Sequence, residues 1–253
     1  MGALHEGHLS LVNAAALETD IVVVSVFINP IQFNSEEDYN KYPNTLSQDI
    51  DLLSSSPTKV LFAPTLAEMY SNALPTTSIH FGQLEEVLEG RSRKGHFNGV
   101  AIVLSKLFNI IKPNKLFMGA KDFQQCVIVQ QLIEDLAFPI ELKIMPTLRA
   151  QSGLALSSRN KRLSEEGLEK AALIYEKLKN AKERLLAGKD IHEVFSIYKI
   201  QLEAIGIYVE YISLNRTSDL SEFIDLYANE HFLLSTAVWL ENVRLIDNIE
   251  FRT

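Results

Sequence analysis

The sequence predicts an α/β fold: a parallel sheet covered by helices on both faces, followed by a smaller α+β domain. Two observations carry this. Up to Thr147, short apolar runs of strand length alternate with helical patterns, the order in which crossover helices join parallel strands. After Thr147 the order changes to two long helices followed by strands, which places a boundary within 146–153 and divides residues 1–147 from 148–253. At 253 residues, 47% hydrophobic and 22% charged, the chain can bury one large core or two of common size.

Residues 1–8 are loop-like and lead into Leu9, Val12, Ala16 and Leu17 at helical spacing, up to Asp20. The β-branched and aromatic run 21–28 reads as a strand buried on both faces, ended by Asn29-Pro30. A helix at 45–55 and a strand at 59–62 follow. Residues 91–99 form a basic, glycine-containing loop before an apolar helix at 100–111, stopped by Pro113. Residues 115–118 read as a strand, 119–122 as the loop leaving it, 123–136 as a helix and 140–145 as a strand. In the second half, 153–159 is a serine-rich loop. Ser164 caps a helix ending near Ala187 with Gly188 beyond it, and 193–205 is a helix closed by Gly206. Strands are expected at 209–213, 232–240 and 243–246.

Composition narrows the function. A net charge of -8, from 24 basic and 32 acidic residues, argues against a nucleic-acid binder with a basic surface, while a few cations can still focus a field on a small anionic substrate. The apolar runs fall far short of the ~20 residues that span a bilayer. No charged segment followed by an apolar one opens the sequence, so no secretory leader is expected. One cysteine, Cys126, excludes an internal disulfide and a multi-cysteine zinc cage, consistent with a cytoplasmic location.

Several short segments can carry chemistry. His5-Glu6-Gly7-His8 opens a helix, whose N-terminal N–H groups favour phosphate, and two imidazoles three residues apart can face one ligand. A pair of surface histidines is the plain alternative. In Gly119-Ala120-Lys121-Asp122, at a strand's end, Lys121 suits a phosphate and Asp122 a ribose hydroxyl or a helix cap. Leu156, Ser157, Ser158 and Arg159 offer two hydroxyls and a guanidinium on one loop, fit to fold over a triphosphate or simply to link domains. Asn29 and Gln32 are amides at a strand's carboxyl end, suited to a carboxylate or hydroxyl, or to a turn. Gln125 lies one helical turn beyond Asp122. Asp49 is a candidate magnesium ligand, with a solvated helix face as the alternative.

In this order the segments resemble one family, the pantoate–β-alanine ligases of the His-x-Gly-His nucleotidyltransferase superfamily. Met-Gly-Ala-Leu-His-Glu-Gly-His at 1–8, Val-Phe-Ile-Asn-Pro-Ile-Gln-Phe at 26–33, the segments 93–100, 119–125 and 152–160, and Leu-Ile-Asp-Asn at 245–248 match its motifs across almost the whole chain. The resemblance implies a Rossmann-like parallel-sheet nucleotidyltransferase domain with a C-terminal lid domain, in a homodimer. It implies a two-step reaction. The carboxylate of pantoate attacks the α-phosphorus of ATP, with magnesium, giving pantoyl adenylate and pyrophosphate, and the amine of β-alanine then attacks the acyl carbon to give pantothenate and AMP.

By matching position, the resemblance puts His5 and His8 at the ATP phosphates, with His8 the proton donor. Met1 and Gly2 lie at the nucleotide, Met1 also near pantoate. Gln32 and Gln125 bind pantoate, Gln32 also lying near β-alanine, and Asn29 supports them. Gly119 and Asp122 hold the ribose and Lys121 the phosphates. Leu148 lines the adenine pocket, Leu156 lies with the nucleotide, and Ser157, Ser158 and Arg159 close on the phosphates. Arg93 is a further candidate, for the phosphates or for the pantoate and β-alanine end. His8, His5, Lys121 and Arg159 are the expected catalytic set.

The sequence departs from the family pattern in three places. Family members carry a helix and a strand ahead of the position matching Met1, Ala120 stands where a Glu is common, and Lys94 stands where a Pro is common. A nucleotidyltransferase joining AMP to a phosphate substrate, a tRNA synthetase core and a non-catalytic nucleotide-binding subunit are the competing readings.

Overall fold

The structure, a computed structural model, describes residues 1–33, 39, 43, 45–71, 73–223 and 229–253. It divides into two units: Met1–Ala120 with Gln124–Pro146, and Lys121–Phe123 with Thr147–Thr253.

The first unit contains α1 (Glu6–Glu18), β1 (Val23–Ser25), α2 (Leu46–Ser54), β2 (Val60–Phe62), α3 (Leu66–Tyr70), α4 (Leu88–Ser92), α5 (His96–Ile111), β3 (Lys115–Gly119), α6 (Phe123–Asp135, its first residue counted with the second unit) and β4 (Glu141–Met145). β1 pairs in parallel with β2, Val23 opposite Val60, and β3 in parallel with β4, Lys115 opposite Glu141. Each pair is parallel because a helix lies between its strands in sequence and returns the chain to the same end. The main chain of Met1 extends the first pair: its nitrogen donates to Ser25 O (2.9 Å) and its oxygen accepts from Phe27 N (3.0 Å), the pattern of a parallel bridge to Val26. One core packs Val12 and Ala15 of α1 against Val22, Val24, Val26 and Leu53. Another packs Phe97, Val100 and Phe108 of α5 against Ile128, Val129 and Leu132 of α6.

Three local expectations need correction. The 21–28 run is not a strand buried on both faces. β1 has three residues, Ile21 is exposed, and Val22, Val24 and Val26 alternate with half-buried neighbours. The 91–99 segment is not one loop. α4 runs through Ser92, and α5 begins at His96 because Gly95, at φ +77°, makes the left-handed turn that a side chain resists. Helix α3 was unexpected, yet Thr65 and Glu68 form a reciprocal capping box, a signature present in the sequence.

The second unit contains α7 (Glu165–Leu186), α8 (Ile191–Glu203) and an antiparallel sheet in the order β5 (Tyr208–Arg216), β6 (His231–Leu240), β7 (Val243–Arg252). β6 and β7 pair along their full length through Glu241 and Asn242, both at positive φ, the geometry of a two-residue hairpin. That ladder carries β7 well past the expected residue 246. Ile174 and Leu178 of α7 and Val194, Tyr198 and Leu202 of α8 pack on Phe232, Leu234 and Val238 of β6.

Ser164 caps α7 as expected, accepting from Gly167 N at 3.0 Å. The carboxylate of Glu241 in turn accepts from the Ser164 hydroxyl and from Ser164 N, and these bonds hold its pKa below the usual range. A lowered carboxylate pKa stabilises the fold above the unfolded-state value, and this contribution disappears as pH falls through the folded value. Glu241→Gln is therefore expected to melt at a lower temperature than the parent chain at neutral pH. The gap should close as the pH falls through the lowered folded-state value, as read by circular dichroism melts.

Candidate active site

In the first unit the site begins with Asp49. Its buried carboxylate accepts from Ala3 N (3.1 Å), Leu4 N (2.8 Å) and the Thr45 hydroxyl (3.2 Å). This holds Ala3 at φ +51°, a conformation that costs an L-residue roughly 1–2 kcal/mol, and fixes where α1 starts. Asp49 is thus not on a solvated face. Its oxygens face the loop that feeds α1. Among the described residues no group of three or more His, Cys, Asp or Glu is arranged to hold a metal ion.

His5 is the N-cap of α1, in extended conformation. Its Nδ1 accepts from Gly7 N at 3.1 Å, and His8 Nδ1 accepts from His5 N at 3.3 Å. The ring centroids lie 4.1 Å apart, tilted by 48°. A ring nitrogen that accepts an N–H carries no proton, so each neutral ring bears its proton on Nε2. Nε2–H donors at a helix N-terminus are groups of the kind that can address an anion. Met1 and Gly2 lie in the same loop, Gly2 buried and Met1 40% exposed.

Asn29, 1% exposed, is fully occupied. Its Nδ2 donates to Gly99 O (3.0 Å) and Gln32 Oε1 (3.4 Å), and its Oδ1 accepts from the Tyr70 hydroxyl (2.7 Å). Burial pushes the Tyr70 pKa up to about 12, so its hydroxyl stays a donor. Gly99 lets the loop lie directly on α5: a β-carbon there would stand 2.4 Å from Ile31 O and 2.7 Å from the Gln32 α-carbon. Arg93 contacts His96 (3.1 Å) and Glu89 (3.9 Å). Gln125 is half-buried on α6, next to Gln124, whose buried amide ties Glu89 N, Leu84 O and Val87 O. Gly119 ends β3 with open space beside its α-carbon.

In the second unit, residues 148–156 form a tight hairpin, with Leu156 N donating to Leu148 O (3.0 Å), Arg149 bridged to Ala155, and Gly153 at φ +92°. Ser157 caps the 3-10 turn Ser158–Arg162 by accepting from Arg159 N, and Ser158 is buried. A concavity is lined by Lys121, Ser157, Arg159, Asn160, Arg244 and Asp247. Two of its charges have strong partners. Arg244 pairs with Glu210 through two 2.9 Å bonds, and Asp247 takes a two-pronged bond from Arg149 at 2.7 and 2.8 Å. Lys121 lies 3.5 Å from the exposed Asp122.

A model of the Pantoate-beta-alanine ligase family matches residues 1–250. The chain belongs to this family. Pantothenate synthetase from Acinetobacter baumannii is 43% identical over 252 residues, 99% of this chain and 88% of that protein. The crystal structure of pantothenate synthetase from Thermus thermophilus matches with a TM-score of 0.92 at 38% identity, over 100% of this chain and 91% of that one. A Francisella tularensis pantoate-beta-alanine ligase, complexed with beta-gamma ATP and beta-alanine, matches with a TM-score of 0.81 at 38% identity, over 98% and 86%. The chain is accordingly a ligase of pantoate and β-alanine.

Sequence reasoning missed Tyr70, His96, Arg149 and Asn248. No local pattern pointed to Tyr70 or Arg149. The Asp247-Asn248 pair inside an apolar strand was a signal: Asn248 Nδ2 donates to Lys121 O at 2.9 Å, while the Arg149 guanidinium stacks 3.4 Å from the Tyr175 ring centre.

Two outcomes follow from this geometry. Gly99→Ala should cost about 1–3 kcal/mol in urea unfolding and raise the KM for pantoate, because backbone must move to admit the methyl. Arg149→Met leaves the Asp247 carboxylate buried without its cation and should cost about 3–5 kcal/mol by the same measurement.

Proposed function

We propose that this ligase activates pantoate with ATP. A carboxylate oxygen of pantoate attacks the α-phosphorus and the bond to pyrophosphate breaks. The amine of β-alanine then attacks the acyl carbon of the pantoyl adenylate, AMP leaves with the bonding pair, and the amine gives up a proton. The observation that carries this reading is the paired-histidine cap of α1, whose hydrogen bonds put the donor protons on Nε2 at a helix N-terminus. The nucleotide and β-alanine named for the Francisella tularensis relative support it.

In this reading His5, His8, Lys121 and Arg159 meet the charge that grows on the α-phosphate and the departing pyrophosphate, with His8 as the proton donor of a hydrogen bond from Nε2–H to the leaving oxygen. Met1, Gly2, Leu148 and Leu156 line the nucleotide, Gly119 and Asp122 take the ribose, and Ser157 and Ser158 bind phosphate oxygens. Gln32 and Gln125 take the hydroxylated acid, and Asn29 supports them from behind. Residues 1–147 act as the ATP- and pantoate-binding domain and residues 148–253 as a lid that protects the acyl adenylate from water. Mg²⁺ enters on the nucleotide as the substrate MgATP, a reading that suits a donor set of histidine, lysine and arginine. We take the working form to be a cytoplasmic homodimer.

The test is pantoate-dependent exchange of labelled pyrophosphate into ATP, with Mg²⁺ and without β-alanine. Exchange is expected, and addition of β-alanine should yield pantothenate and AMP. A folded chain without exchange would remove the adenylate from the mechanism. Lys121→Ala should lose about 10²–10³ in exchange rate, by the scale of single-donor deletions around a developing oxyanion.

A further inference from the structure

We infer that His96 is a positioning residue for pantoate: its Nδ1–H holds the main chain of Gln32, and Arg93 holds the ring in the tautomer able to do so. The inference rests on the reading of Gln32 as a pantoate contact.

His96 is the first residue of α5 and is buried. Its Nδ1 lies 2.7 Å from Gln32 O, and its Nε2 lies 3.1 Å from Arg93 Nη1. A carbonyl oxygen can only accept and a guanidinium can only donate. Both contacts are satisfied together by one form of the ring, neutral, with the proton on Nδ1 and the lone pair on Nε2. The opposite tautomer sets donor against donor and acceptor against acceptor. The imidazolium sets a second positive charge and an N–H against the guanidinium.

Arg93 is itself directed by Glu89, 3.9 Å away, on the preceding helix. Glu89 N donates in turn to Gln124 Oε1 at 2.8 Å. Gln32 is thereby held at two points. His96 takes its main-chain oxygen, and Asn29 Nδ2 takes its Oε1, which leaves the amide Nε2–H₂ as the end that addresses a ligand oxygen. The close approach at Gly99 sets how near this turn lies to α5, and His96 sets its rotation. This is the logic by which a residue behind a ligand contact fixes its aim.

The experiment compares His96→Gln with His96→Asn. An asparagine amide reaches the place of Nδ1 and keeps the donor, whereas a glutamine amide reaches only the place of Nε2. His96→Gln is expected to raise the KM for pantoate about tenfold, with a much smaller change in the KM for ATP, and His96→Asn to stay within about threefold of the parent. Adding His96→Gln to Gln32→Ala should raise that KM no further. Multiplied effects in the double variant, or equal losses of both substrates' affinity in the single one, would overturn the positioning role. If Gln32→Ala left the pantoate KM unchanged, the reading of Gln32 would fall and the inference with it. If Gln32→Ala raised it while His96→Gln did not, the inference alone would fall. A second measurement needs no variant. Nitrogen-15 NMR of the histidine-labelled chain should find His96 protonated on Nδ1 only at neutral pH, and a proton on Nε2 would refute the arrangement.

Discussion

An α-helix leaves its first N–H groups without partners, and in α1 two imidazoles meet that need. Serine or threonine with glutamate does this work in most capping boxes. Histidine adds a consequence. Because Nδ1 of each ring is spent on the backbone, the donor end of each is set by the cap itself. Local folding and ligand chemistry are therefore one constraint, and it depends on Asp49, which anchors the two residues before the cap.

The loop after β1 follows the same economy. A buried asparagine is costly unless its hydrogen bonds are satisfied. Asn29 meets this with partners on three segments: α5 through Gly99, α3 through Tyr70, and its own turn through Gln32. A polar network with these partners has one arrangement, so the turn acquires a defined geometry without regular secondary structure.

The second unit organises charge differently. Arg149 is half-buried over the buried Asp247, the guanidinium bonding two carboxylate oxygens and two main-chain carbonyls while stacking on Tyr175. The pair adds direction more than net stability, since removing two charges from water offsets much of their attraction. Its position next to Asn248, which bonds the Lys121 carbonyl, couples that direction to a cation proposed to meet phosphate. Arg244 lines the same concavity with its charge matched by Glu210, so its guanidinium orientation is set from the sheet.

Periodicity and punctuation carried the helices, strands and α/β class, because helical spacing, Ser164, Gly188 and Gly206 act within a few residues of themselves. Ordered motifs across the chain carried the family. The amides and cations singled out from sequence are short-range signals of the same kind. Tyr70 and Asn29 are 41 residues apart, His96 and Gln32 64, Arg149 and Asp247 98, and Lys121 and Asn248 127. No local pattern encodes such pairs. Asp49 reads from sequence as a surface or metal-binding carboxylate, and only the arrival of the 1–4 loop makes it a buried acceptor. The sequence by itself determined the fold class, the long helices and the strands of the second half, and which chemical groups are present. The tertiary structure decided which way those groups point, because tautomers, amide orientations and buried ion pairs are chosen by partners that only folding brings within hydrogen-bond distance.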